Sequence, residues 1–403
     1  MADVMRGLRF YLLLLLLSSL WAAPTAGAAP GLPRLLLLDS AALATFKVAY
    51  QQGQPAVVGP VKALLAEADQ ALTKAPDPIT GKPQLPPSGN KHDYLSQAPY
   101  WWADPSKPDG KPYLRKDGLR NPESRDMRDD ARLTRVCHEA RLLGLAYYFS
   151  GKEAYAAHAA RQLRVFFLDP ATRMNPNLNY GQGIPGTATG RGFGIIETRH
   201  LTDIPDALAL LHGSRAADNK LTEELRGWFR QFTVWLTTSP IGLQERGSEN
   251  NHGTYYDLQV VDFARFTGDE ALARTTLQTQ TLPRIGVQFA PDGAQPLELE
   301  RTRPWNYTSM NLEGWVKLAV LAQPLGLDLW HYRTSDGRGL EPAVAWFASY
   351  LLGQRQFELT DVTPVSNRTL LAIYDRAGPH YPALPVAQVF ARYPQEVRTP
   401  WSL

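Results

Sequence analysis

Apolar residues recur at three- and four-residue intervals through most of the chain, the spacing that lines one face of an α-helix. The pattern predicts helices over 41–52, 58–74, 127–150, 153–168, 202–211, 222–237, 255–266, 270–282, 309–322 and 341–352. Short connectors such as Ser150-Gly151 and Thr267-Gly268-Asp269 separate neighbours, which makes those pairs antiparallel hairpins. Strands do not alternate with helices, so a doubly wound sheet is disfavoured. No repeat of fixed period argues for a solenoid. The expected fold is all-α: an α/α toroid, or incomplete α/α barrel, of antiparallel helical hairpins.

Two long segments break the pattern. Residues 76–121 are rich in Pro, Gly, Asp and Lys and carry the aromatic cluster Tyr100-Trp101-Trp102; residues 175–194 are rich in Asn and Gly. Loops of this length in a compact domain are commonly functional. Flat aromatic rings suit sugar stacking, and buried packing explains them equally well.

The first residues read as a leader rather than as fold. Arg6 and Arg9 precede an apolar run from Phe10 to Leu17, and Ala26-Gly27-Ala28 suits signal cleavage. The run falls short of the about 20 residues a membrane helix needs. Residues 1–28 are therefore expected to be a signal peptide and 29–403 a single domain, periplasmic or secreted, with no membrane association after cleavage. Net charge is +3, and +2 without the leader, too weak a balance to imply a nucleic-acid partner. The one cysteine, Cys137, excludes an intramolecular disulfide and sits in an apolar stretch, as a small core residue would.

Several chemistries lack their hallmarks. The run Gly190-Arg191-Gly192-Phe193-Gly194 has neither the spacing nor the preceding strand of a dinucleotide site. No His-Glu-x-x-His suggests a metal, and no G-x-S-x-G marks a serine nucleophile. Neither a cofactor nor a metal is expected.

Two segments concentrate polar chemistry. The first runs from Glu245 through Asn250-Asn251-His252-Gly253-Thr254-Tyr255-Tyr256-Asp257 into a helix. Capping alone explains one asparagine. His252 falls in the first turn, where the positive end of the helix dipole favours a neutral, proton-accepting imidazole. The second, Glu298 to Ser309, holds Arg301, Arg303 and, just before the next apolar run, Tyr307. Arginine binds carboxylates with two parallel hydrogen bonds.

These residues resemble the alginate lyase superfamily, polysaccharide lyase families 5 and 38. The resemblance extends to Lys91 through Trp102, Lys107 through Tyr113 and Arg120 through Glu123, covering roughly 91–314. The form Asn-Asn-His-Gly-Thr-Tyr-Tyr-Asp is closer to family 38. The resemblance implies an α/α toroid and a lyase acting on an acidic polyuronate, alginate or polymannuronate first and glucuronan next.

Such a lyase must neutralise the C6 carboxylate, remove the C5 proton and protonate the departing O4. Neutralisation falls to Asn251 and Arg301, with Glu245 assisting as a protonated acid or by holding an arginine. Tyr307 is the expected acid, and also the base for substrates with C5–H and O4 on the same side. That second role needs a cation nearby, which Arg301 or Arg303 would supply. His252 is the expected base for the opposite geometry, as in guluronate. Asn250, Arg303, Arg199, His200, Tyr100, Trp101, Trp102 and Asn179 are the expected substrate-binding residues. Two other readings stand beside this one: a noncatalytic polysaccharide-binding protein, and a glycoside hydrolase using two carboxylates such as Glu245 and Glu298 across a cleft.

Overall fold

Helices dominate the computed structural model, which describes residues 34–396 and 398–402. The expected signal peptide lies outside the described residues. The order begins with α1 (Ser40–Gln51) and α2 (Pro55–Ala71), followed by β1 (Leu95–Gln97), β2 (Trp101–Trp102) and β3 (Leu114–Arg115). Then come α3 (Asp129–Ser150), α4 (Glu153–Phe167), β4 (Tyr180–Gly183), a 3₁₀ segment (Gly192–Thr202) and α5 (Asp203–Leu210). The centre of the chain forms α6 (Asn219–Thr238), α7 (Pro240–Arg246), α8 (Asn251–Thr267), α9 (Glu270–Thr276) and α10 (Leu282–Gln288). The last part forms α11 (Pro296–Leu299), α12 (Pro304–Ala322), α13 (Leu340–Trp346), α14 (Ala348–Leu351), α15 (Arg368–Ala377) and α16 (Val386–Arg392). The fold is an all-α toroid.

The hairpin connectors behave as their sequence suggests. Gly151 and Gly268 close α3 and α8 with φ of +69° and +88°, a backbone region open to glycine at little cost. Asp218, Ser239, Asn250 and Asp269 each cap the helix that follows with a side-chain oxygen.

Around α8 the structure departs from the amphipathic pattern. Fourteen of its 17 residues are buried, because α6, α9, α12 and the 3₁₀ segment surround it. Among its inward polar residues the Asp262 carboxyl has no hydrogen-bond partner within the described residues, and burial pushes it up. Three others are paired: Asp257 with Arg284 at 2.8 Å, Gln259 with Thr198 at 2.6 Å, and Thr254 with Gln288 at 2.9 Å. Pairing of this kind removes most of the cost of burying them. Two apolar clusters flank the helix. One contains Phe229, Phe232 and Phe263; the other contains Phe289, Leu312 and Trp315. Truncating Phe263 to Ala would cost about 3–5 kcal/mol.

Four further differences from the helical pattern have local causes. The 270–282 run is interrupted by a π-turn over Leu277–Thr281 and continues to Gln288. The 309–322 helix starts five residues early, with Pro304 in its first turn, where proline's missing N–H costs nothing. The 341–352 run divides into α13 and α14. The sequence pattern also missed α7, α15 and α16, which have 7, 10 and 7 residues.

The two long irregular segments meet each other. Strand β1 pairs in parallel with β4, Leu95 opposite Tyr180 and Gln97 opposite Gly183, while β2 and β3 form a small antiparallel ribbon. The Tyr113 N–H reaches the Pro185 carbonyl at 3.1 Å. Together they form one wall of a cleft whose other wall is built by the helix starts at Asn251 and Pro304.

Candidate active site

The cleft encloses about 610 Å³. Six arginines line it (Arg115, Arg120, Arg191, Arg199, Arg301 and Arg303), against two carboxylates, Asp130 and Glu197. Arg301 pairs with Asp117, Arg115 with the same Asp117, and Arg120 with Asp130. Among the described residues, Arg191, Arg199 and Arg303 have no carboxylate within 4.0 Å, so the cleft presents uncompensated positive charge.

Helix α8 sets the first part of the site. The Asn250 side chain accepts from the His252 N–H at 3.2 Å, so Asn250 is the cap that the sequence allowed, and it also lines the cleft. His252 packs edge-on against Phe193, ring centroids 4.4 Å apart. Its Nδ1 lies 2.6 Å from Glu245 Oε1. An Nδ1–H donated to that carboxylate leaves Nε2 as the proton-accepting nitrogen. Here the structure corrects the sequence reading of Glu245. This residue is fully buried at the end of α7, holds the histidine rather than an arginine, and does not line the cleft.

Asn251 is also fixed from behind. Its backbone N–H and its Nδ2 donate to the two oxygens of Glu298, at 2.6 and 2.7 Å. One amide hydrogen is thereby committed and the second is left for a ligand, while Oδ1 has no partner. Burial raises the Glu298 carboxyl, an effect opposed by its bonds to Asn251 and by the Arg301 charge.

The second part of the site rests on the start of α12. Tyr307 sits in its first turn, and its hydroxyl lies 2.7 Å from that of Tyr100. Arg301 lies over the Tyr307 ring at 4.2 Å and Arg303 at 5.9 Å. The expected cations are therefore present, but they do not prevail. Burial first, and Tyr100 next, push the Tyr307 hydroxyl well above the usual tyrosine range, with Arg301 opposing. Asp117 orients Arg301 through both oxygens, at 3.2 and 3.3 Å. Burial would raise the Asp117 carboxyl, but Arg301 and Arg115 outweigh it and hold it below the ordinary range.

Of the remaining expected residues, Trp101, Arg199 and His200 line the cleft. Burial and the neighbouring Arg199 pull His200 down to about 4, so at neutral pH it meets a ligand as an uncharged ring. Two residues are not brought to the site. The Trp102 indole N–H donates to the Leu119 carbonyl at 2.9 Å, in the loop that follows β3. The Asn179 side chain accepts from Trp235 at 2.9 Å, outside the cleft lining.

The sequence reading missed Asp117, Arg191, Gln182 and Glu197. Arg191 lay inside the rejected glycine-rich run, and an arginine between glycines in a long loop was the available signal. Among the described residues, no group of three or more His, Cys, Asp or Glu side chains is placed to hold a metal ion. No helix among them is long and apolar enough to cross a membrane.

This helical toroid with its arginine-lined cleft belongs with the polysaccharide lyases. The alginate lyase family model matches residues 79–357, and the chain belongs to that family. It is similar to the crystal structure of an alginate lyase from Bacteroides ovatus, with 38% identity, a TM-score of 0.85, and coverage of 90% of this chain and 96% of that one. Its fold is also similar to alginate lyase A1-III from Sphingomonas species A1, with 16% identity, a TM-score of 0.57, and coverage of 89% and 93%. Among curated proteins none matches. The pair named for the hydrolase alternative, Glu245 and Glu298, is buried behind site residues and does not face across the cleft.

Proposed function

We propose that this protein is an exported lyase that cuts alginate by β-elimination. The observation that carries the reading is the convergence of His252, Asn251, Arg301 and Tyr307 on one arginine-lined cleft. Arg301, Arg303 and the second amide hydrogen of Asn251 neutralise the C6 carboxylate, stabilising the charge that develops when C5 loses its proton. The C5–H electron pair becomes the C4=C5 double bond as the C4–O4 bond breaks. Tyr307 gives its proton to O4.

Two bases serve the two geometries. His252 Nε2 takes the C5 proton where C5–H and O4 lie on opposite faces, as in guluronate. Tyr307 takes it where they lie on the same face, as in mannuronate and glucuronate, and then returns it to O4. No cofactor enters this scheme.

The test is ultraviolet absorbance of the unsaturated product with polymannuronate, polyguluronate and glucuronan in separate reactions. A rise that disappears in Tyr307→Phe supports elimination, and the fastest polymer names the substrate. New reducing ends without that absorbance would refute the mechanism.

A further inference from the structure

Arg191 has no role in the chemistry above, yet it is the most elaborately held of the arginines without a carboxylate. Its Nε donates to the Gln182 carbonyl at 3.2 Å and its Nη2 to Gln182 Oε1 at 2.8 Å. Its guanidinium lies 4.8 Å from the Phe193 ring centre, and Phe193 in turn packs on His252. Arg191 thus stands one ring away from His252, whereas Arg301 lies against Tyr307.

Gln182 is itself constrained. It is a non-glycine residue with φ of +47°, a strained conformation that persists only where its surroundings enforce it. The enforcement is visible: its N–H donates to Ser96 Oγ at 2.7 Å and its Nε2 to Glu197 Oε1 at 3.1 Å. Glu197 also accepts from Tyr94 at 2.8 Å and Ser96 at 2.6 Å. Enclosure pushes this carboxyl up to about 7, so above that pH it is ionised, can only accept, and decides which end of the Gln182 amide faces it. The nitrogen turns to Glu197 and the oxygen is left for Arg191.

We propose that Arg191 receives the carboxylate of the uronate unit adjacent to the one being cut, on the His252 side, and that Glu197, acting through Gln182, is the positioning residue that aims it. The proposal rests on the polyuronate reading above. A polyuronate carries a carboxylate on every unit, and a neighbouring unit drawn into the cleft must have its charge met or lose binding energy. Arg191, partly buried and without a carboxylate partner of its own, meets that charge by a short charge-assisted contact.

The experiment measures kcat and KM on oligouronates of increasing length, together with calorimetric binding of saturated oligouronates. For Arg191→Ala, the gain in kcat/KM from the shortest cleaved oligomer to longer ones falls about ten- to a hundredfold. Most of that fall appears in KM, and oligomer binding weakens in parallel. Glu197→Leu, which removes the acceptor for Gln182, reproduces this pattern. Glu197→Gln restores it, since its carbonyl keeps Gln182 oriented while Tyr94 and Ser96 accept from its amide. If Glu197→Leu does not fold, Gln182→Leu carries the same test.

An unchanged length dependence in Arg191→Ala overturns the proposal while leaving the lyase reading intact. So does an equal loss at every length. If the unaltered protein cuts no polyuronate, the lyase reading fails separately, and unchanged oligomer binding in Arg191→Ala then overturns the Arg191 assignment as well.

Discussion

His252 and Glu245 meet at 2.6 Å, the carboxylate fully enclosed and the imidazole open to the cleft through its other nitrogen. Glu245 therefore sets which nitrogen of His252 carries the proton and supports the charge that appears when Nε2 takes a second one. Glu245→Ala is expected to lower kcat on polyguluronate about 10²-fold, in the range typical of lost acid–base assistance, with a much smaller change in KM. Steady-state kinetics on polyguluronate and polymannuronate check this. A loss of equal size on both polymers would refute the assignment of His252 to guluronate.

Tyr307 gives the next expectation. Burial and Tyr100 hold its hydroxyl protonated well past the normal tyrosine range. It is thus ready to act as an acid at any working pH, but as a base it depends on the small ionised fraction. That fraction grows tenfold per pH unit below the pKa. The ratio of polymannuronate to polyguluronate turnover should therefore climb as pH rises from neutral towards 10. Initial rates on both polymers across that range test it, and a flat or falling ratio would remove Tyr307 as the base for same-face substrates.

How far the sequence foretold this site depended on sequence separation. Residues that meet because they share a helix start, such as Asn250, Asn251 and His252, were legible, as were Arg301 and Tyr307 in one short segment. The residues that hold them were less so. Asp117 reaches Arg301 from 184 positions away, and Glu298 reaches Asn251 across 47. Glu245 was singled out, but its true partner depended on α7, a helix too short to announce itself by periodicity. The fold class followed from the long helices, whereas the cleft wall could not be read at all. It arises from the parallel pairing of two distant irregular segments, Leu95–Gln97 with Tyr180–Gly183, whose strands of 3 and 4 residues are too short for a pattern. Trp102 and Asn179 misled for the same reason: their residue types suit sugar contact, but their partners, Leu119 and Trp235, engage them elsewhere.

Asp117 binds both Arg301 and Arg115, which joins the β3 loop to the start of α12. Asp117→Ala leaves the Arg301 guanidinium free to leave the Tyr307 ring. The expected result is a fall in kcat/KM of about tenfold or more, with a change in thermal stability under about 1 kcal/mol, as befits a partly exposed ion pair. Kinetics and thermal melts of the same preparation separate the two. A large drop in stability with unchanged kinetics would make Asp117 a purely structural residue.

Glu197 titrates at about 7, raised first by its enclosure and then by Asp130, against the opposing bonds from Ser96, Tyr94 and Gln182. Unfolded, the same carboxyl would titrate near its ordinary 4.5. Between those two values the folded protein holds a proton that the unfolded chain has released, so stability falls as pH rises through this window and levels off above it. Replacing Glu197 by Gln removes the titration while keeping the shape. The melting temperature of Glu197→Gln relative to the unaltered protein should therefore rise steadily from about pH 4.5 to about pH 7 and stay constant at higher pH. The constant offset between the two proteins reports the exchanged hydrogen bonds, and only its change with pH reports the carboxyl. A difference that does not vary over this range would mean that Glu197 is ionised throughout, in which case the Gln182 amide keeps its orientation towards Arg191 at every pH in the window.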